Sequence, residues 1–196
     1  MKKETITRRR KEIIKNALEV FTEKGWEKAS LEDIAIHSGL SKPALYLYFK
    51  NKEDLLYAIV DSTLTSLEET ASHISGSTKE KLEKFVYTMI SFYEKNSTLF
   101  NLFEHVDKKI MKKYHKKLKK RLFYCISSLA KFMTECIKDK VLKPASPMFY
   151  AISLIGLINS NFMMAKLNLP QTNSDDSNKL TKQILDLFLN GASPHL

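Results

Sequence analysis

Side chains that could perform catalysis or bind a metal are scattered through this sequence. The histidines are His37, His73, His105, His115 and His195, and neither an HExxH nor a CxxC spacing occurs. Zinc sites need ligands at such short spacings, and nucleophilic catalysis needs a recognisable pair of nucleophile and base. We therefore expect no catalytic residue, no metal and no cofactor, and we do not expect an enzyme.

Binding chemistry is concentrated in residues 39–56, GLSKPALYLYFKNKEDLL. On a helix through this segment, the residues that can face a core are Leu45, Tyr48 and Phe49. The residues left toward solvent or DNA are Lys42, Pro43, Ala44, Tyr46 and Leu47. Such a face suits the major groove, because lysine donates to guanine O6 and N7 while alanine or proline touches the thymine methyl group.

A helix that precedes this segment can support it. From Arg8 to Lys24 the apolar residues recur at three- and four-residue steps, which predicts a helix that packs by one face and ends at Gly25. Trp26 follows, and it can fill the core or stack on a base. We favour the core.

Two short helices with a tight connection come next. Ser30 can cap the first helix, with Asp33 completing a capping box. The dipeptide Ser38–Gly39 supplies a left-handed turn, Ser41 can cap the second helix, and Pro43 fits its first turn. Together with the supporting helix, this is the plan of a helix-turn-helix.

Residues 39–56 closely resemble the recognition-helix signature of the TetR family of regulators, and the preceding helix-turn pattern fits without a gap. The resemblance covers about the first quarter of the chain; the rest agrees in length, helical content and order of helices. It implies a three-helix DNA-binding head and a larger domain whose last two helices form a dimeric four-helix bundle. It also implies an effector pocket between head and bundle, and repression by a homodimer on a palindromic DNA operator.

Carried onto this chain, the resemblance assigns two sets of DNA contacts. The residues that approach bases are Lys42, Pro43, Ala44 and Tyr46. The residues that meet phosphate are Ser30, Ser41, Tyr48 and Lys52. Other roles stay open, because Tyr48 can belong to the core, Lys52 can be a solvated charge, and both serines can also cap helices.

The charge of the chain favours a polyanionic partner. Its formal net charge is +10, which suits nucleic acid or an anionic membrane surface. A basic arm at Arg8–Arg10 can grip DNA or remain solvated. Between Lys108 and Arg121, nine of fourteen residues are Lys or Arg. That helix face can be solvated, or it can meet DNA phosphates, an anionic effector or lipid.

Helical periodicity continues through the rest of the 196 residues, and the 43% hydrophobic content with only five glycines shows little sign of strands. The predicted fold class is all-α. It consists of an N-terminal three-helix helix-turn-helix DNA-binding head, residues 1–52, and a larger helical ligand-binding and dimerisation domain, residues 53–196. A long helix from Lys52 is expected to link them.

The last two helices carry the predicted dimer interface. The segment from Pro147 to Ala165 is apolar on nearly all sides, as in a membrane span, but its serines, asparagines and glycine argue against one. In water such a helix must be covered. The predicted interface residues are Ser153, Gly156, Ser160, Leu180, Ile184, Leu187 and Phe188.

Aromatic and methionine side chains are frequent between Phe85 and Met163, as in an adaptable apolar pocket or in any helical core. The polar groups that could contact an effector are Tyr93, His105, Tyr124 and Asn159. We expect a small, largely apolar effector of unknown identity. The alternative is a DNA-binding adaptor of the same fold that is controlled by a protein partner or a membrane surface.

The N-terminal sequence, MKKETITRRRKEII, is basic without an apolar segment behind it, so no signal peptide is expected. We expect the protein in the cytoplasm and without a membrane partner. Cys125 and Cys136 fall in one predicted helix about 16 Å apart, too far for a disulfide. They can be buried apolar thiols or a redox sensor.

Overall fold

The computed structural model describes residues 2–104, 108–166 and 176–192. The described residues form helices and no strand, which confirms the all-α fold class. The helices are α1 (Lys2–Lys28), α2 (Leu31–His37), α3 (Lys42–Tyr46), α4 (Lys52–Ser72), α5 (Thr78–Lys95), α6 (Ser97–Glu104), α7 (Lys108–Lys138), α8 (Pro147–Lys166) and α9 (Ser177–Ala192).

The chain divides into two compact units. The first comprises Met1–Thr65 and Asn96–Lys119, and the second comprises Ser66–Lys95 and Lys120–Leu196. The division falls inside α4 and α7, so each of these helices contributes to both units. The first unit therefore contains more than the head predicted at residues 1–52.

The core of the first unit collects the apolar stripe of α1. Ile13, Ala17 and Phe21 are buried, and they share a cluster with residues of α2, α3, α4 and α6. Trp26 is 2% exposed, with its ring centroid 5.1 Å from that of Phe21, so its place in the core is confirmed. Burial of these large side chains stabilises the head, since removing one typically costs ~3–5 kcal/mol.

A glycine interrupts α1 at the position where the sequence predicts that the helix ends, and the last turn continues to Lys28. Gly25 has φ of 77° and ψ of 159°, which interrupts the helix just before Trp26. Side chains other than glycine are strained at a φ of this sign. The break turns the chain so that Trp26 faces the core and Ser30 can begin α2.

The second unit has its own core, built from α5, α7, α8 and α9. Leu82, Val86 and Ile90 of α5 are fully buried in it. From α9 it takes Leu180, Ile184 and Phe188, whose ring lies edge-on to that of Tyr150 at 5.9 Å. The apolar stripe of α9 therefore packs inside its own chain.

Candidate functional site

The start of α2 is held by a network of hydrogen bonds around one carboxylate. Ser30 Oγ accepts from the N–H of Asp33 at 3.1 Å, and Asp33 Oδ2 accepts from the Ser30 N–H at 2.9 Å, which completes the predicted capping box. Lys24 Nζ donates to Asp33 Oδ1 at 2.6 Å. The ammonium of Lys24, together with Ser30, lowers the pKa of Asp33 to about 2. The network fastens α2 to the end of α1.

The turn between α2 and α3 is fixed by its backbone and by α1. Gly39 has φ of 61°, the left-handed conformation that the sequence predicts. The carbonyl of Ser38 accepts from Arg9 Nη2 at 2.7 Å, and Asn16 Nδ2 donates to Ser38 Oγ at 3.3 Å. The Leu40 N–H donates to the Ala35 carbonyl at 2.8 Å. These bonds set the angle at which α3 leaves the turn.

One side of α3 belongs to the core and the other faces outward. Ser41 Oγ accepts from the Ala44 N–H at 3.3 Å, and Pro43 occupies the first turn. Leu45 and Phe49 are buried, and Tyr48 packs half-buried against the same cluster. The inward residues are therefore those that the helical periodicity predicts.

The outward side of α3 carries the predicted base contacts. Lys42, Pro43 and Tyr46 are exposed, and Ala44 is half-buried. Leu47, which follows α3, is 85% exposed. A supported and capped helix-turn-helix with an open second helix is the architecture of DNA-binding regulators.

Three of the predicted phosphate contacts have structural roles in the head. Ser30 and Ser41 are both exposed, and each hydroxyl caps its helix. Lys52 is more strongly engaged: its Nζ donates to the carbonyls of Trp26 at 2.5 Å and Ala29 at 3.1 Å. The same ammonium lies 4.5 Å from the centroid of the Trp26 ring. Lys52 therefore ties the first turn of α4 to the corner between α1 and α2.

The basic arm is part of α1 and packs on the head. The guanidinium of Arg10 lies 4.7 Å from the centroid of the Phe49 ring. Arg9 also donates to Glu12 Oε2 at 2.9 Å, in addition to its bond to Ser38. Arg8 is largely exposed, with its Nε 3.8 Å from a Glu12 oxygen. Two of the three arginines thus stabilise the helix-turn-helix itself.

In the second unit, two of the predicted effector contacts meet. Tyr93 of α5 donates a hydrogen bond from its hydroxyl to Asn159 Oδ1 of α8. The Tyr93 ring stacks on Phe162, with centroids 4.6 Å apart. Burial raises the pKa of Tyr93, so it stays a neutral hydrogen-bonding group. These residues form an aromatic cluster with a polar centre.

The other two predicted effector contacts are His105 and Tyr124. His105 lies outside the described residues. Tyr124 is exposed on α7, with the guanidinium of Arg121 5.9 Å from the centroid of its ring. Cys125, the next residue, is half-buried.

Arg121 does not belong to a solvated basic face. Its guanidinium donates to both oxygens of Glu68 at 2.6 Å, and its side chain is 14% exposed. The bonds from Arg121 lower the pKa of Glu68. Burial, with the carboxylate of Glu68 beside it, raises the pKa of the Cys125 thiol to about 11, and burial raises that of Cys136 to about 12. Thiols with such pKa values are weak nucleophiles at neutral pH.

The residues of the predicted dimer interface differ in exposure within one chain. Leu180, Ile184 and Phe188 are already covered within one chain, because the stripe of α9 that carries them packs in the second core. Leu187, Gly156 and Ser160 are exposed, and Ser153 is half-buried. The exposed face of α8 also carries residues that the prediction omits, namely Phe149, Ile152 and Met163.

By length and composition, the segment Pro147–Met164 of α8 is apolar enough to cross a membrane, and 22% of it is buried. A helix of a soluble protein can have the same composition. Among the described residues, no group of His, Cys, Asp and Glu is placed to hold a metal ion.

The sequence pattern does not indicate the ion pairs that Lys42 and Arg121 form. Glu32 of α2 accepts from Lys42 Nζ at 3.3 Å, and Glu68 accepts from Arg121. Neither pair falls at the three- or four-residue spacing that marks a helical pair, so no local pattern indicates it.

Residues 13–59 match the family model for bacterial regulatory proteins of the tetR family. A regulator of the helix-turn-helix type from Bacillus subtilis, YvdT, is 38% identical over 65 residues, which are 33% of this chain and 34% of that protein. The matched segment thus spans about a third of that relative's length.

Solved structures extend the similarity along the whole chain. A transcriptional regulator of the TetR/AcrR family from Thermobifida fusca is 28% identical with a TM-score of 0.71, covering 93% of this chain and 97% of that one. The regulator FadR from Bacillus subtilis, in complex with stearoyl-CoA, is 23% identical with a TM-score of 0.73, covering 92% and 97%. Residues 13–59 therefore match the DNA-binding head of the TetR family, and the chain is similar in its helical fold to regulators of that family.

Proposed function

We propose that this protein is a sequence-specific transcriptional regulator, a repressor that binds a palindromic operator as a homodimer and is released by a small, largely apolar effector. The observation that carries the proposal is the open side of α3. There Lys42, Tyr46 and Leu47 are exposed on a helix whose other side is locked in the core by Leu45 and Phe49. Such a surface pairs donors and apolar groups as the major groove requires.

The proposed DNA contacts divide into two classes. Those to bases are Lys42, Pro43, Ala44 and Tyr46. Those to phosphate are Ser30, Ser41, Tyr48 and Lys52. An ammonium has three N–H groups, and Lys52 directs two hydrogen bonds to carbonyls, so one N–H can still point to a phosphate.

The test is a selection of bound fragments from genomic DNA of the source organism, followed by titration of the recovered sequence and a random duplex. We expect a two-fold symmetric sequence to be enriched and bound at least 10³-fold more tightly than random DNA. Recovery of fragments without a common sequence would contradict a sequence-specific regulator.

The proposed dimer uses the exposed face of α8. Phe149, Ile152, Gly156, Ser160 and Met163 follow one another at steps of three or four residues, so they share one face of the helix. Gly156 and Ser160 are small enough to let a second helix approach. An exposed apolar face of this length favours a partner subunit over solvent.

The proposed effector site includes Tyr93 and Asn159, with His105 and Tyr124 as further proposed contacts. The hydrogen bond between Tyr93 and Asn159 beside the Phe162 ring gives an apolar ligand one polar anchor. Each group could exchange its present partner for a ligand hydroxyl or carbonyl. An effector that prefers the released state a hundredfold would supply ~2.7 kcal/mol of bias.

Linkage supplies the test of this effector hypothesis. A library of hydrophobic dyes and drugs is titrated calorimetrically with and without the recovered operator. We expect operator DNA to lower the affinity of the protein for at least one compound. That compound should lower the affinity of the protein for operator DNA by the same factor. The adaptor would instead be favoured if no compound changes operator binding but a protein partner or lipid vesicles do.

The remaining proposals concern organisation and location. We propose residues 1–52 as the DNA-binding domain and residues 53–196 as the effector-binding and dimerisation domain. We further propose that the protein has no enzymatic activity and acts in the cytoplasm, where its operator is accessible.

A further inference from the structure

A carboxylate of α2 lies beside the lysine that is proposed to read bases. Glu32 Oε2 is 3.3 Å from Lys42 Nζ, and the two side chains are 63% and 51% exposed. The pair bridges α2 and α3 on the open surface of the head. Lys42 therefore presents its ammonium together with an acceptor, not as an isolated cation.

The ion pair contributes little to folding stability, but its carboxylate strongly affects the binding of a polyanionic ligand. Exposed ion pairs contribute little to stability, because water and salt screen both charges. A carboxylate brought to DNA, by contrast, must lose water in a negative field. The lost hydration of the carboxylate is compensated only where a hydrogen-bond donor of the DNA meets it.

A G·C base pair offers the complementary pattern. In the major groove guanine presents the acceptor O6 and cytosine presents the donor N4. These two atoms are hydrogen-bonded to each other, so they lie about 2.9 Å apart. The 3.3 Å between Glu32 Oε2 and Lys42 Nζ is close to that separation.

We propose that Glu32 and Lys42 read one G·C pair together, and that Glu32 is a specificity-determining residue. This inference rests on the proposed function. Lys42 donates to guanine O6, and Glu32 accepts from cytosine N4. At a G·C pair in the opposite orientation, or at an A·T pair with adenine in the place of guanine, the ammonium meets an amino group and the carboxylate meets a carbonyl oxygen. A T·A pair offers thymine O4 and adenine N6 in the matching order, but the thymine methyl group replaces guanine N7, the second acceptor for lysine. Glu32 thus acts mainly by penalising other sequences.

The experiment compares wild type with Glu32→Gln, which keeps the shape and removes the charge. Each protein is used as the full chain to select from a pool of random duplexes, and is then titrated with the enriched and with random DNA. We expect Glu32→Gln to relax one base-pair position and to lower the ratio of specific to random affinity by about tenfold. Lys42→Met should relax the same position, and the double variant should add little.

Glu23→Gln is the matched control, because it removes the same charge from an exposed residue of α1. It should leave both the selected sequence and the affinity ratio unchanged. Thermal unfolding verifies that each variant is folded, and Glu32→Ala serves as a second variant with the same expected relaxation.

The outcomes separate this inference from the proposed function. A wild-type protein that enriches no sequence would overturn both. Suppose that the wild type enriches a sequence and that Glu32→Gln enriches the same one at the same affinity ratio. This result would overturn only the joint recognition of a base pair by Glu32 and Lys42. Equal tightening on all duplexes by Glu32→Gln would also overturn it, because the carboxylate would then be only a repulsive charge.

Discussion

Leu45 and Leu47 stand two residues apart and have opposite environments. Leu45 is 1% exposed, whereas Leu47 is 85% exposed. The first holds α3 to the head by burial of apolar area, and the second contributes nothing to that core. When a groove covers an exposed leucine beside Tyr46 and Lys42, the burial of its apolar surface lowers the free energy. At the level of single residues, stability and the proposed DNA contacts thus belong to different sides of α3.

We expect Lys42→Ala to weaken operator binding by ~1–3 kcal/mol and to relax specificity at one position, because a base contact is lost. Its unfolding free energy should change by less than ~0.5 kcal/mol, since the side chain is exposed. Fluorescence anisotropy with operator and random duplexes measures the first effect. Lys11→Ala, an exposed lysine of α1, is the control. Equal losses on both duplexes would assign Lys42 to phosphate.

At the scale of elements, the short helices α2 and α3 depend on neighbours for their placement. A helix of seven or five residues is not stable alone in water. Caps at Ser30 and Ser41 satisfy their first N–H groups, and α1 grips the intervening turn through Arg9 and Asn16. These caps and hydrogen bonds form the frame that holds α3, the helix proposed to contact bases.

The carboxylate of Asp33 makes part of this frame sensitive to acid. Its pKa is lowered from 3.8 to about 2, so its contribution is present above pH 4 and is lost as the pH falls toward 2. We expect Asp33→Asn to be less stable than wild type at pH 5, with the difference shrinking between pH 4 and pH 2. Urea unfolding at several pH values measures it. The control is Glu27→Gln, a change at an exposed residue of α1, which should show no such convergence. A constant gap for Asp33→Asn would contradict the assignment.

The first turn of α4 is tied to the head through Lys52. We expect Lys52→Met to lower the free energy of unfolding by ~1–3 kcal/mol, because the carbonyls of Trp26 and Ala29 lose a charged donor. Urea denaturation measures this, with Lys50→Met as an exposed control. An unchanged free energy of unfolding in Lys52→Met would contradict a stabilising role of these two hydrogen bonds.

The salt dependence of DNA binding distinguishes a second role of Lys52. If Lys52 also contacts a phosphate, the slope of log K against log salt should fall in magnitude by about 1 in Lys52→Met. An unaltered slope with weaker binding would make Lys52 a positioning residue only.

For the molecule as a whole, the described residues of one chain leave an apolar face of α8 exposed. The exposed residues of α8 share a face, while the stripe of α9 is used up in the core. A second copy of the chain would cover that face and provide two heads for a two-fold operator.

Gly156→Leu should disrupt the proposed dimer. A Cβ added at Gly156 meets no described atom of the chain within 4 Å, so the variant should fold, and overpacking of ~1–3 kcal/mol would arise only against a partner. We expect sedimentation to show monomers and operator affinity to fall. Ser128→Leu, which adds a leucine to an exposed position of α7, should remain dimeric. A dimer that survives Gly156→Leu would place the interface elsewhere.

Features that depend on near neighbours along the chain follow from the local sequence of this protein. The cap at Ser30, the left-handed Gly39 and the inward Leu45 were all predicted and are all confirmed. Their hydrogen bonds and faces are set within about four residues, which is the range over which helix signals act.

Contacts between distant segments depend instead on how the helices pack. The stripe Leu180, Ile184 and Phe188 is equally suited to a partner helix or to its own core, because periodicity shows that a face is apolar and not what covers it. Likewise, Glu32 meets Lys42 across a turn, and Glu68 meets Arg121 across 53 residues. Charged side chains are long and can pair in many ways, so the packing of the helices, and not the sequence pattern, selects their partners.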